Sequence, residues 1–242
     1  MAVPKQGDLF LDRGRGGKRT GAGRPRAPGR RRNWVRVRAA LSRHTPVHIT
    51  LRTVKDVGRL RRRRAYHAIR RAVNKSWMRQ NFRIVHVSIQ REHIHLICEA
   101  DDKLALAHGM QSFAISAAKQ LNAAIARDRG EKVARRGAVF PERYHVEHLT
   151  NRRQVRNAIA YVLNNWRRHS EDVAGVRQRA ALVDPYSSGV LFDGWNRTYP
   201  FAPPEGFDPI VTMYPQSWLL EVGWRRYGRI DPLEVPGPRP TA

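Results

Sequence analysis

The sequence predicts an α+β fold, with an antiparallel sheet of four to five strands and helices packed on one face. Short stretches of alternating apolar residues are typical of half-buried strands, and longer stretches with apolar residues about 3.6 positions apart are typical of amphipathic helices. Both patterns are present. Of the 242 residues, 41% are hydrophobic, which is enough for the core of one good-sized domain.

The first strand and helix are predicted from residue 44 onward. The segment Val47–Arg52 alternates between apolar and polar side chains, as a half-buried strand does. Residues 58–79 follow with helical spacing, and Tyr66 lies on the apolar side of that helix. The other sides are arginine-rich and lack acidic partners, which favours phosphate contact over a merely solvated face.

Two further strands bring a pair of histidines together. Phe82–Ile89 is predicted as one strand, and residues 93–98 as the next after a polar turn. Because side chains alternate along a strand, His93 and His95 project together from the face opposite to the apolar residues. Their Cα atoms are then about 6.5–7 Å apart, so that the imidazoles can converge on one metal ion. Such pairs also occur as hydrogen-bonded surface groups.

A second helix is predicted at residues 103–127. Val139-Phe140 and residues 144–149 then indicate either another strand pair or a bent strand. We expect these elements to form a ferredoxin-like arrangement.

The last predicted helix presents a tyrosine away from its apolar stripe. Asn151 and Gln154 have the spacing of a capping box that opens a helix within residues 150–170. Tyr161 points about 130° from the centre of the apolar stripe at 100° per residue, and Asn165 follows one turn later. The helix therefore offers a phenol and an amide together on a side that is not the core.

Charge indicates the class of partner. The chain has 46 Lys and Arg against 20 Asp and Glu, a net charge of +26, which favours a polyanion and above all nucleic acid. Residues 1–32, rich in Gly, Pro and Arg, are expected to form a disordered basic arm. The candidate phosphate contacts elsewhere are Arg52, Arg61, Arg62, Arg63, Arg64 and Arg143.

Several classes of protein are excluded by composition. Cys98 is the single cysteine, which excludes a disulfide framework and any multi-cysteine zinc finger. No run of 18 apolar residues exists, and the first residues lack the apolar region of a secretory signal. We therefore expect no membrane partner and a cytoplasmic, nucleoid-associated location.

The histidine pair and the tyrosine helix together resemble a known family. His93 and His95 flank a hydrophobic residue on a strand, and Tyr161 is followed four positions later by Asn165, as in the HUH single-tyrosine transposases. The REP-associated tyrosine transposase branch is the most similar, judged by the segment that holds Tyr161 and Asn165 and by the preceding Arg143-Tyr144-His145.

The resemblance covers about residues 44–170. Residues 171–242 are expected to be a Pro- and aromatic-rich C-terminal appendage that wraps the core. Two positions depart from the family pattern: Glu92 stands where the family often has Asn, and Trp166 stands where it often has Pro.

The resemblance implies metal-dependent cleavage and strand transfer of single-stranded or hairpin DNA, as in DNA transposition. His93, His95 and Asn165 would hold Mg²⁺ or Mn²⁺. Tyr161 would attack the phosphorus, form a 5′-phosphotyrosine link and release a 3′-hydroxyl. The sequence leaves open whether the protein is a monomer or a homodimer.

Other interpretations stay open at this stage. The same basic surfaces would also suit a non-catalytic nucleic-acid-binding protein. His145 and His148 could complete a zinc site with the histidine pair. Tyr144 is a rival nucleophile, although base stacking or packing suits its predicted strand better. Tyr66 is rejected because it lies on an apolar helix face.

Overall fold

The computed structural model describes residues 40–175, 181–198, 207–235 and 237. The predicted basic arm at residues 1–32 lies outside these described residues. Within them, no helix is both long enough and apolar enough to cross a membrane.

A four-stranded antiparallel sheet forms the centre of the described part. Its spatial order is β2-β3-β1-β4, and each neighbouring pair of strands is antiparallel. Helices α1 and α2 connect β1 to β2 and β3 to β4. The predicted α+β class and the ferredoxin-like order are therefore confirmed. The strands are β1 (Val47–Arg52), β2 (Phe82–Ile89), β3 (His93–Ala100) and β4 (His145–His148).

Helices α1 (Arg63–Ser76) and α2 (Lys103–Asp128) pack on one face of the sheet, as predicted. That face carries the buried side chains of Ile94 and Leu96. Helix α1 begins later than the periodicity indicates. Gly58, at φ 72°, is in the left-handed region and ends a short 3₁₀ turn that precedes the helix.

Helix α3 (Arg152–Arg168) packs on the opposite face of the sheet, against Val85 and Ile97. The predicted N-cap is present, since the side chain of Asn151 accepts a hydrogen bond from the Gln154 N–H at 2.9 Å. The Gln154 side chain accepts from the backbone N–H one residue before the cap rather than from the cap itself. The sheet is therefore covered on both faces, whereas the sequence prediction placed the helices on one face only.

The described parts of the C-terminal segment lie along the edge strand β2 and behind α3. The backbone N–H of Ile89 donates to the carbonyl of Tyr186 at 2.9 Å, and that of Met213 donates to the carbonyl of Ile84 at 3.0 Å. A short helix, α4 (Trp218–Glu221), precedes a 3₁₀ turn whose Trp224 is buried against α3. The segment thus covers the hydrogen-bonding edge that β2 would otherwise expose.

His86 on β2 is enclosed by this segment, with its ring edge-on to Phe192 at 5.3 Å between centroids. Burial lowers the pKa of His86 from 6.5 to about 4. The folded protein therefore keeps this imidazole neutral, whereas the unfolded chain binds a proton below pH 6.5. The associated stability is fully present above pH 6.5 and is lost as the pH falls towards 4.

We predict that His86→Leu flattens the fall in stability between pH 7 and pH 5. The free energy of unfolding should decrease by about 2 kcal/mol less than in the unmodified protein over this interval, as measured by urea denaturation at both pH values. His108→Gln, at an exposed position of α2, is the control and should keep the original slope. An unchanged slope in His86→Leu would contradict the assignment.

Candidate active site

The histidine pair lies on the face of the sheet that α3 covers. In the antiparallel register of β1 and β3, His95 is opposite Thr50 and His93 is opposite Arg52. Directly opposite residues share a face, so the four side chains project together. The rings of His93 and His95 are 4.7 Å apart between centroids and nearly perpendicular, at 89°. The two imidazoles project together, as the alternation predicts.

Helix α3 places three polar side chains over these histidines. The Tyr161 ring is edge-on to His95, at 5.3 Å between centroids, and His169 is edge-on to His93, at 5.4 Å. Asn165 lies one helical turn from each and so is on the same side of the helix. The structure therefore brings together all four residues that the sequence assigns to chemistry, and adds His169.

Some side-chain nitrogen and oxygen atoms of this cluster have no hydrogen-bond partner among the described residues. Nδ1 of His95 lies 3.1 Å from Nε2 of His48 and 3.2 Å from the hydroxyl of Thr50. Its other nitrogen, Nε2, is buried and has no hydrogen-bond partner among the described residues. Asn165 is 0% exposed, and neither atom of its amide has a partner there. Leaving such groups unpaired costs about 1–3 kcal/mol each, a cost that a bound ligand would remove.

Both histidines of the pair are neutral at physiological pH. Burial lowers the pKa of His93 to about 4, with smaller contributions from His169 and Arg52. The pKa of His95 is lowered to about 2, chiefly by burial and further by the surrounding histidines, His48 first. Neutral imidazole is the form that donates a lone pair to a metal.

The donor set fits a hard divalent cation. Two neutral imidazoles and an amide oxygen leave coordination positions that phosphate oxygens and water can fill, as Mg²⁺ and Mn²⁺ prefer. The described residues do not offer a zinc-like alternative, because no three His, Cys, Asp or Glu side chains among them are arranged around one point. His145 is exposed on β4, and His148 is opposite Val47 and so lies on the other face.

The rival tyrosines lie away from the histidine pair. Tyr66 is buried in the core, where its hydroxyl donates to the carbonyl of Asp208 at 2.7 Å and burial raises its pKa. Tyr144 packs against the core between the sheet, α1 and α2. Among the described residues, Tyr161 is the tyrosine whose ring contacts the histidines of this face.

Most of the arginines that the sequence assigns to phosphate contact are exposed. Arg52 lies beside His93, and Arg143 precedes β4. Arg62 and Arg63 are exposed where α1 begins. They follow Leu60, whose backbone N–H donates to the carbonyl of Arg91 in the β2–β3 turn that precedes His93. Arg64 is also exposed and donates to Asp128 at 2.9 Å.

Arg61 corrects the sequence prediction. Its side chain is only 3% exposed, and its guanidinium donates to both carboxylate oxygens of Asp184, at 2.9 and 2.8 Å. It also donates to the carbonyl of Ile89 at 2.9 Å and lies over the ring of Tyr186. The expectation that Arg61 neutralises phosphate is wrong, because its charge is already paired in the interior.

Three residues of the site were missed in the sequence. His48 and Thr50 lie on β1, and His169 follows Asn165 by one helical turn. The sequence carries a signal for two of them. The alternation that assigns the apolar side chains of β1 to the core also assigns His48 and Thr50 to the face of the histidine pair.

Comparison with known proteins identifies the family to which the chain belongs. The family model described as "Transposase IS200 like" matches residues 43–165, more than half of the chain. The chain belongs to this family of IS200-like transposases and is therefore an enzyme of DNA transposition, which confirms the family resemblance of the sequence.

Two further comparisons complete the findings. No curated protein matches the chain. The chain is also similar to a solved structure described as "Structure of the REP associates tyrosine transposase bound to a REP hairpin", with 16% sequence identity. The match covers 55% of this chain and 73% of that one, with a TM-score of 0.39.

We predict that Arg61→Ala destabilises the fold strongly. The change leaves the fully buried carboxylate of Asp184 without its cation, and breaking a buried pair in this way costs about 3–5 kcal/mol. Arg62→Ala, its exposed neighbour, should change the free energy of unfolding by less than about 0.5 kcal/mol. Urea denaturation of both variants measures the difference, and equal effects would contradict the structural role of Arg61.

Proposed function

We propose that the chain cleaves and rejoins single-stranded DNA, with Tyr161 as the nucleophile and a divalent cation held by His93, His95 and Asn165. One observation carries the proposal. The phenol ring of Tyr161 lies edge-on to the neutral imidazole of His95, and the buried donor atoms of His95 and Asn165 have no hydrogen-bond partner among the described residues. A residue that only packed the helix would not need this arrangement.

The site residues suit Mg²⁺ or Mn²⁺. His93 and His95 would each supply one imidazole nitrogen, and Asn165 would supply its amide oxygen. Bound there, the ion would polarise the non-bridging oxygens of the scissile phosphate. The chain itself keeps both imidazoles neutral by burial and keeps the donors free of competing hydrogen bonds.

Tyr161 would carry the covalent step. Its hydroxyl loses a proton as the oxygen forms a bond to the phosphorus. The bond from phosphorus to the 3′ oxygen breaks, and the departing 3′ oxygen takes up a proton from water, so that the step consumes no net proton. The 5′-phosphotyrosine link conserves the energy of the phosphodiester. Attack by another 3′-hydroxyl can therefore reverse the step without ATP. Helix α3 and the edges of the imidazoles restrict where the phenol can move.

Exposed arginines around the site support a DNA substrate. Arg52 is opposite His93 in the sheet, and Arg62 and Arg63 closely follow Leu60, which contacts the turn that leads into β3. Their positive charge would neutralise phosphates of a single strand or of a hairpin stem without reading its bases. The alternative of a non-catalytic nucleic-acid-binding protein would use the same arginines but gives no role to the cluster around Tyr161.

We predict that Tyr161→Phe abolishes cleavage and the covalent DNA adduct. The change removes one oxygen and keeps the ring that packs against His95, so folding should be nearly unaffected. The assay incubates labelled single-stranded hairpin DNA with the protein and Mn²⁺, then separates adducts on a denaturing gel. Tyr144→Phe is the matched control and should cleave normally.

Mass spectrometry of the adduct peptide identifies the nucleophile directly. The nucleotide should be on the peptide that contains Tyr161. A nucleotide on any other tyrosine, or normal cleavage by Tyr161→Phe, would refute the assignment even though the chain is a transposase.

We predict that His95→Ala lowers divalent-dependent cleavage by at least about 100-fold, because one ligand is lost. Hairpin binding should persist, since arginines elsewhere supply the phosphate contacts. Asn165→Ala should give a smaller loss that high Mn²⁺ partly restores. Cleavage rates across a Mn²⁺ titration separate the two variants, and full activity of His95→Ala would place the metal elsewhere.

A further inference from the structure

Three side chains form a line along the sheet from β4 to β3, ending at the histidine pair. Oε2 of Glu147 lies 3.8 Å from Nδ1 of His48, and Nε2 of His48 lies 3.1 Å from Nδ1 of His95. The two imidazole planes differ by only 25°, with centroids 5.2 Å apart. The nitrogens therefore meet edge to edge, which is the geometry that a hydrogen bond between two imidazoles requires.

The carboxylate at one end fixes the direction of this line. An ionised carboxylate only accepts, so Glu147 favours the tautomer of His48 with its N–H on Nδ1. A neutral imidazole has one N–H, and Nε2 of His48 is then an acceptor. Nδ1 of His95 must carry the proton that it donates to His48. The remaining nitrogen of His95, Nε2, is left bare, and it is the buried atom that has no partner.

The surroundings are consistent with two neutral rings. Burial lowers the pKa of His48, as it lowers that of His95, and this effect outweighs the opposite effect of the Glu147 carboxylate. The hydroxyl of Thr50, 3.2 Å from the same Nδ1, can either donate or accept. Thr50 therefore accommodates either tautomer of His95, whereas His48 selects one.

We infer that His48, supported by Glu147, is a positioning residue that holds His95 in the tautomer whose Nε2 is free to bind the divalent cation. This inference rests on the proposed function for the identity of that ligand. The other nitrogen of a metal-binding imidazole is commonly anchored by a hydrogen bond, which fixes its tautomer and its ring orientation. Here a second imidazole is the anchor.

Nitrogen NMR of the metal-free full chain tests the tautomer directly. In the unmodified protein, ¹⁵N shifts and two-bond couplings should report the N–H of His95 on Nδ1. In His48→Leu the acceptor is gone and the hydroxyl of Thr50 becomes a donor, so that the Nε2–H tautomer should become populated. His48→Gln should retain the original tautomer, since its amide oxygen reaches the position of the lost Nε2.

Two further variants separate this role from general packing. Thr50→Val should keep the Nδ1–H tautomer of His95, because His48 remains. His108→Gln, on α2 and remote from the site, should leave the His95 signals unchanged. The inference is overturned if the unmodified protein holds its proton on Nε2 of His95, or if His48→Leu keeps it on Nδ1.

Mn²⁺ affinity, followed by electron paramagnetic resonance, gives a second measurement. His48→Leu should weaken binding by about 10- to 100-fold, and His48→Gln should stay within about 3-fold of the unmodified protein. If the unmodified chain binds no Mn²⁺ while its tautomer is as expected, the proposed function fails and the positioning role stands. If it binds Mn²⁺ and His48→Leu binds equally well, the positioning role fails alone.

Discussion

The pairing of β1 with β3 is the constraint on which the site depends. A strand turns alternate side chains to opposite faces, so one register decides both what enters the core and what meets α3. With His95 opposite Thr50, Ile94 and Leu96 face α1 and α2. His93, His95 and the apolar Ile97 face α3. A slip of β3 by one residue would bury the histidines in the core and turn Leu96 towards α3.

Local patterns predicted most of the fold and the central part of the site. Period two in β3 is enough to pair His93 with His95, and helical spacing is enough to pair Tyr161 with Asn165. The partner of Arg61 could not be found in this way. Asp184 is 123 residues further along the chain, and no periodicity in a helix indicates which of its arginines a distant segment will bury.

The C-terminal segment explains why α3 can hold Tyr161 firmly. Its described residues bury Trp195 and Trp224 in the same apolar cluster as α3, and the side chain of Asn164 donates to the carbonyl of Asp231 at 2.9 Å. Helix α3 is therefore packed against both the sheet and this segment. Under the proposed function, such support would limit the movement of Tyr161, whose reach would have to match a phosphate within a fraction of an ångström.

Burial has two consequences at the histidine face that cannot be separated. Enclosing His95 and Asn165 lowers the pKa of the His95 imidazole and excludes water that would compete for the lone pairs of both side chains. The same enclosure leaves polar atoms of both residues without hydrogen bonds, which lowers the stability of the fold. The two cores on either side of the sheet offset that cost. Under the proposed function, the apolar side chains of β1 and β3 would contribute to the chemistry without contacting the substrate, because the stability they supply offsets the cost of the unpaired polar atoms on the opposite face.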